Sequence, residues 1–159
     1  MPRLLGLLLL CLVHAALPAQ DAANGTMAVI VAASDTEARV DASRLNLIYR
    51  RKLQFWPNGR RIHPINLPAV HPLRQRFSSL VLNASTRALE EFWNERYFLG
   101  IHPPFVAPST EAMIRIVTET SGAIGYIGTC AVDPRVRVVF RVPEDAPEPT
   151  CPDAPSTDG

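Results

Sequence analysis

The chain of 159 residues is poor in lysine and cysteine, with Lys52 standing alone beside fifteen arginines and only three cysteines. It also lacks a glycine-rich phosphate loop, closely spaced Cys/His ligands, and a serine or cysteine in a recognisable nucleophile motif. Of the four histidines, those at 63, 71 and 102 are predicted to be partly exposed rather than metal-binding, since no ligand spacing surrounds them. We therefore expect no metal, no other cofactor and no enzyme activity.

Long hydrophobic runs are missing too, apart from one near the N-terminus. Arg3, the apolar run from Leu4 to Val13 and small residues up to Ala19 predict a secretory signal peptide over residues 1–19. The alternative is an uncleaved membrane anchor, which is disfavoured because the run is shorter than the ~20 residues that span a bilayer. The protein is accordingly predicted to be periplasmic.

Charge is unevenly distributed along the remaining chain. Residues 22–142 hold fifteen basic and nine acidic side chains, whereas residues 143–159 hold five acids and no base. A basic body suits an anionic ligand or partner, although an arginine-biased genome produces the same excess. The tail at 143–159, rich in Pro, Asp and Glu, is predicted to be disordered. Cys130 and Cys151 are either a disulfide, which an oxidising compartment favours, or two unpaired thiols.

Hydrophobic patterning over residues 26–142 predicts one domain of alternating strands and helices. Strands are expected at 26–34, 61–67, 123–128 and 136–142, and helices after the N-caps Asp41, Ser85 and Ser109 and from Pro72 onward. The predicted buried faces of the two middle helices are Leu73, Phe77, Leu80 and Val81, then Leu89, Phe92, Trp93 and Tyr97. The expected fold is α/β, with a mixed sheet of about four strands flanked by helices and parallel pairs wherever a helix connects two strands.

Residues 49–61 combine five basic side chains with Tyr49, Phe55 and Trp56, a mixture that also occurs at nucleic-acid interfaces. An exported protein seldom meets nucleic acid, and basic residues near a helix end complement the helix dipole. The favoured interpretation is a solvated face, so no nucleic-acid partner is predicted.

The segment 65–77 is the strongest candidate binding site. It predicts a strand end, a short turn and a helix beginning at Pro72, and a helix N-terminus attracts phosphate or carboxylate groups. The predicted ligand-binding residues are Asn66, His71, Leu73 and Arg74, with Arg74 placed to fork onto an anion. Because His71 is an unusual N-cap, the N–H groups of the first turn are expected to be free for a ligand or for water.

These pieces, in this order, resemble the short phosphate-type solute-binding proteins of ABC transporters, which belong to the type II periplasmic-binding-protein superfamily. The resemblance rests on TMAVIVAAS, VDASRLNLIYRRKLQFWPNGRRIHPINL, HPLRQRF, EEFWNERYFLGIHPP and SGAIGYIG, and it spans about 26–142. It implies a single lobe of a two-lobed clamshell together with the strands that cross between lobes.

The resemblance also implies partners: a phosphate-like small anion, and an ABC permease or another periplasmic or membrane protein. A second copy of the chain could supply the missing wall of the cleft, which would make a homodimer. Leu67 stands where phosphate binders carry arginine, and His71, Pro72 and Leu73 replace their Ser-Gly-Thr run. The alternative function is therefore a one-lobe interaction or sensor module that has lost tight ligand binding.

Overall fold

The computed structural model describes residues 26–143 and Cys151; the predicted leader at 1–19 and nearly all of the predicted tail at 143–159 lie outside the described residues. A short 3-10 turn at Thr129–Ala131 follows the fourth strand. In chain order the strands and helices are β1 (Met27–Ala32), α1 (Ala42–Tyr49), β2 (His63–Asn66), α2 (Pro72–Leu80), α3 (Thr86–Tyr97), β3 (Phe105–Val106), α4 (Thr110–Glu119), β4 (Ala123–Gly128) and β5 (Val136–Val142).

One mixed sheet contains all five strands in the order β3-β2-β4-β1-β5. β2 runs parallel to both β3 and β4, whereas β1 runs antiparallel to β4 and β5. The α/β prediction is confirmed, but the expected count of about four strands is one short. β3 escaped prediction because its two residues, Phe105 and Val106, are both exposed at the sheet edge and leave no alternating pattern.

Helices cover both faces of the sheet. On one face α4 approaches β4 closely, since a Cβ added at Gly125 would lie only 2.4 Å from the sulfur of Met113. On the other face Phe77 of α2 stacks on Tyr126 of β4 with ring centroids 4.0 Å apart. Tyr49 of α1 meets the Phe77 ring edge-on at 4.6 Å. These three aromatic rings tie two helices to the centre of the sheet.

The predicted N-caps at Asp41, Ser85 and Ser109 are confirmed: each side chain accepts a hydrogen bond from a first-turn N–H group. The end of α1 is less regular. Arg51 has a φ of 59°, in the left-handed region, while the Lys52 N–H donates to the Leu47 carbonyl at 2.8 Å. This is a helix C-terminus that normally has glycine, and a side chain there costs about 1 kcal/mol.

The predicted buried faces of two helices need correction. Leu80 is 50% exposed and Tyr97 is 60% exposed, although both were expected in the core. The buried positions of α2 are Leu73, Arg74, Phe77 and Ser78. These positions, spaced i, i+1, i+4 and i+5, form the side of the helix that faces the sheet. Leu80 therefore lies on the solvent side, and Arg74 faces inward.

At the end of the sheet where β2 and β4 begin, the connecting loops pack closely against the strands. The Trp56 indole N–H donates to the Gly122 carbonyl at 3.0 Å. Gly122 has a φ of 79°, and a Cβ there would lie 2.2 Å from the Arg61 carbonyl oxygen. Arg60 forms an ion pair with the buried Asp35 at 2.7 Å. Glycine is therefore required at 122, and this edge is held by interactions within the domain.

At the opposite end of the sheet, the chain enters the domain at β1 and leaves it at β5. Met27 pairs with Gly128 and with Val142, so the start of β1 lies between the ends of β4 and β5. Cys130, just beyond β4, forms a disulfide with Cys151. In the described residues, no helix has the length and apolar character needed to cross a bilayer.

Candidate functional site

The candidate site lies where parallel strands end and α2 begins. Asn66 is the last residue of β2, and four intervening residues lead to the N-cap His71. In open α/β sheets, ligands bind at the carboxyl ends of parallel strands, so this edge has the expected location for a site.

His71 caps α2 more completely than the sequence suggested. Its Nδ1 atom accepts a hydrogen bond from the Leu73 N–H at 3.2 Å, and its carbonyl accepts one from the Gln75 N–H at 3.1 Å. Because Pro72 has no N–H, only the Arg74 N–H of the first turn is left without an acceptor among the described residues. The expectation of several free donors is wrong, and the Leu73 N–H in particular is already used.

Asn66 is held by a tyrosine from the neighbouring strand. The Tyr126 hydroxyl accepts a hydrogen bond from the Leu67 N–H at 3.2 Å and lies 3.3 Å from the Asn66 Oδ1 atom, to which it donates. With Oδ1 occupied in this way, the amide nitrogen of Asn66 remains as a donor. The pair fixes the orientation of a buried amide at the end of β2.

Arg74 is the most unusual residue of the site. It is 7% exposed, and its Nη1 atom is buried with no hydrogen-bond partner among the described residues. No described carboxylate forms an ion pair with it. Burial raises the pKa of Tyr126, and the nearby Arg74 guanidinium opposes that rise. A buried cation without an opposite charge costs several kcal/mol, so Arg74 is electrostatically unbalanced.

Asn66 and Arg74 are buried at this site, at 4% and 7% exposure, whereas His71 is half-buried. Two cavities of about 240 and 300 Å³ lie at the other edge of the sheet, around Asp35, Arg60 and Trp56. Neither cavity is lined by Asn66, His71, Leu73 or Arg74. Arg74 was predicted to fork onto an anion; in the unliganded domain the inward stripe of α2 places its side chain in the interior.

Asn66, His71, Leu73 and Arg74 were predicted to lie together, and all four lie at this one end of the sheet. Two residues that contact them were not predicted. Tyr126 interrupts the small and apolar run of β4, and that isolated hydroxyl was the available signal. Ser78 was also missed; its hydroxyl donates to the Arg74 carbonyl at 2.8 Å. The described residues contain no group of three or more His, Cys, Asp or Glu side chains that could hold a metal ion.

Comparison with known proteins gives matches among solved structures alone: no family model matches the chain, and no curated protein sequence matches it either. An ABC-type phosphate transport receptor from Vibrio cholerae is 19% identical, with a TM-score of 0.58, over 72% of this chain and 45% of that one. A putative phosphate ABC transporter substrate-binding protein from Clostridium perfringens, solved with bound phosphate, is 19% identical with a TM-score of 0.59, over 72% and 44%.

PstS from Borrelia burgdorferi is similar as well, at 18% identity and a TM-score of 0.56 over 72% of this chain and 46% of that chain. The chain thus spans about half the length of the solved structures that it matches. At this identity the likeness concerns the fold. The described domain has the fold of one part of a phosphate-type substrate-binding protein, as its sequence resemblance predicted.

Proposed function

We propose that this domain is the solute-binding lobe of a periplasmic component linked to an ABC transporter, and that it binds phosphate or a similar small anion. The structural neighbours are described as phosphate transport receptors and substrate-binding proteins, one of them with phosphate bound. The anion would sit at the start of α2, between Asn66, His71 and Arg74.

The observation that carries the proposal is the buried, unbalanced charge of Arg74. A guanidinium that is 7% exposed and lacks a carboxylate partner among the described residues is stabilised by any anion that reaches it. The Arg74 N–H and the Asn66 amide nitrogen are further donors at the same edge. In the neutral imidazole, Nδ1 accepts the Leu73 N–H, so Nε2 carries the hydrogen and supplies a third.

Affinity should be modest in the single domain. One arginine and a few N–H donors with solvent on one side support a dissociation constant of about 1 mM, or about −4 kcal/mol. Because the Nη1 atom of Arg74 is buried, binding would require the guanidinium to turn toward the helix N-terminus. Tighter binding needs a second wall, supplied by a permease, another protein or a second copy of this chain, because enclosure strengthens each hydrogen bond.

Isothermal titration of the protein with inorganic phosphate tests this function. Arg74→Gln should weaken binding at least tenfold, about 1.4 kcal/mol, because it removes the charge and keeps a polar side chain. Arg87→Gln is the matched control: Arg87 is exposed on α3 and its ion pair with Glu91 is a surface one. Absence of phosphate binding by the wild type, or equal affinity in all three proteins, would contradict the proposal.

A second candidate function is the interaction module that has lost tight ligand binding. It is favoured by apolar side chains at the same edge, since Val70 precedes the His71 cap and is 82% exposed, and Val106 of β3 pairs with Asn66. Exposed apolar groups flanking a site are typical of protein contacts. Sedimentation of the wild type beside Val70→Ser/Val106→Ser tests the case of a second copy: self-association that these changes abolish supports it, and a monomer at every concentration excludes it.

A further inference from the structure

A second surface, remote from the candidate site, has basic side chains around an exposed aromatic ring. We call it the Phe55 face and define it as Arg51, Lys52, Phe55, Arg61 and His63. Phe55 is 53% exposed and pairs with Arg61 in an antiparallel bridge. Residues directly opposite each other in such a bridge have neighbouring side chains, so the ring and the guanidinium are adjacent.

Three basic groups of the Phe55 face, Arg51, Arg61 and His63, lie near enough to influence one another electrostatically. Burial and the charge of Arg61 lower the pKa of Arg51, and burial, Arg61 and Arg51 lower the pKa of His63. Among the described residues, no carboxylate forms an ion pair with Arg51, Lys52 or Arg61. The repulsion within this cluster is relieved by an external negative charge.

Two acidic residues at this end of the sheet are engaged by the turn that follows Trp56. Asp35 pairs with Arg60, and Glu37 accepts a hydrogen bond from the Asn58 amide. Both interactions use the turn at 57–60, and neither reaches the Phe55 face. Neither of these two carboxylates is therefore paired with a cation of the Phe55 face.

The shape of the surface points to an extended partner. Phe55 is 53% exposed, and neither of the two cavities at this end of the sheet is lined by any residue of the Phe55 face. A bilayer containing anionic lipids offers diffuse negative charge above an apolar layer. Basic side chains around one exposed aromatic ring match both layers, whereas an acidic protein surface would leave the ring without an apolar partner.

We propose that the Phe55 face docks the protein on an anionic phospholipid surface, with the basic side chains at the head groups and the Phe55 ring inserted among them. His63 begins β2 and Asn66 ends it, so the two surfaces lie about 10 Å apart along the strand direction. Docking through the Phe55 face turns the candidate anion site away from the membrane and leaves it accessible.

Vesicle co-sedimentation tests the docking. Vesicles of phosphatidylglycerol and phosphatidylcholine in equal parts should bind the wild type, phosphatidylcholine alone should not, and raising the salt concentration should weaken binding. Lys52→Gln/Arg61→Gln should reduce the partition coefficient by more than tenfold, since each basic group near such a surface contributes about a fivefold factor. Arg51→Gly should also weaken binding while raising Tm, because glycine fits the left-handed backbone, so loss of folding cannot explain the result.

The aromatic contribution has its own matched control. Phe55→Ser should weaken binding roughly tenfold, while Phe98→Ser, which removes an 88% exposed ring at the end of α3, should leave it unchanged. Equal binding to both vesicle types overturns the proposal. So does binding that depends on the charges but not on Phe55, since that pattern describes attraction to any polyanion. Phosphate titration of the Phe55→Ser variant is expected to match the wild type, which keeps this test separate from that of the anion site.

Discussion

Two arginines at opposite ends of the same sheet differ in their electrostatic partners. Arg60 places its Nη2 atom 2.7 Å from the Asp35 carboxylate, whose other oxygen accepts the N–H groups of Glu37 and Ala38. Arg74 is more deeply buried and has no such partner among the described residues. A charge that is balanced internally holds loops in place, whereas an unbalanced one leaves binding energy for a ligand.

Removing the balanced charge should have the largest effect on stability. Asp35→Ala deletes the acceptor of two N–H groups and leaves Arg60 without its partner, so we expect a loss of about 3 kcal/mol in the free energy of unfolding. Denaturant titration measures it. Glu111→Ala is the control, because its ion pair with Arg135 is exposed and should contribute little. Equal losses of unfolding free energy in the two variants would mean that the buried ion pair stabilises the fold no more than the exposed one.

The unbalanced charge should behave in the opposite way. Arg74→Met keeps an unbranched side chain that can fill the space of the aliphatic stem and removes the charged group, and the unliganded protein should become about 1–2 kcal/mol more stable. Phosphate should raise the Tm of the wild type and leave that of the variant unchanged. A variant that is less stable than the wild type without phosphate would show that Arg74 is satisfied within the fold and has a structural role.

The smallest expected effect concerns His63, on the face remote from Arg74. Burial, with Arg61 and Arg51 nearby, holds the pKa of His63 below its ordinary value of about 6.5. The folded state therefore binds fewer protons than the unfolded state as the pH falls below that value. Stability from this group is fully present above pH ~6.5 and decreases toward the lowered pKa.

In His63→Gln, the free energy of unfolding should decrease less as the pH falls below ~6.5, because the titrating imidazole is absent. Urea unfolding at a series of pH values measures this. His102→Gln is the control, since His102 lies in an exposed loop. An acid slope that is unchanged by His63→Gln would contradict the electrostatic role of Arg51 and Arg61 on the Phe55 face.

Much of the fold could be predicted because its signals are local. Asp41, Ser85 and Ser109 cap helices through their own neighbours, and β1 and β4 are continuous apolar runs. β3 could not be predicted because its pairing with β2 is a long-range contact made by two exposed residues. The limits of the domain, the leader and the periplasmic location stay predictions.

The strand and helix around the candidate site were predicted more accurately than the placement of its side chains. Its position followed from a strand end and a proline at the start of α2, which are sequence features. The burial of Arg74 depends on how α2 rotates against Tyr126 and Tyr49, and hydrophobic spacing alone gave the wrong phase by counting Leu80 inward. The cap formed by His71 depends on a side-chain rotamer, which no sequence pattern specifies.

The pairing of Met27 with Val142 has a practical consequence for experiments. Because the backbone enters and leaves the domain at adjacent points, at the same end of the sheet as the candidate site, a fluorophore attached near either point would report on that end of the domain. A donor and acceptor placed one at each point would start at short separation, so that any opening of this edge by an anion would be seen directly as a fall in energy transfer.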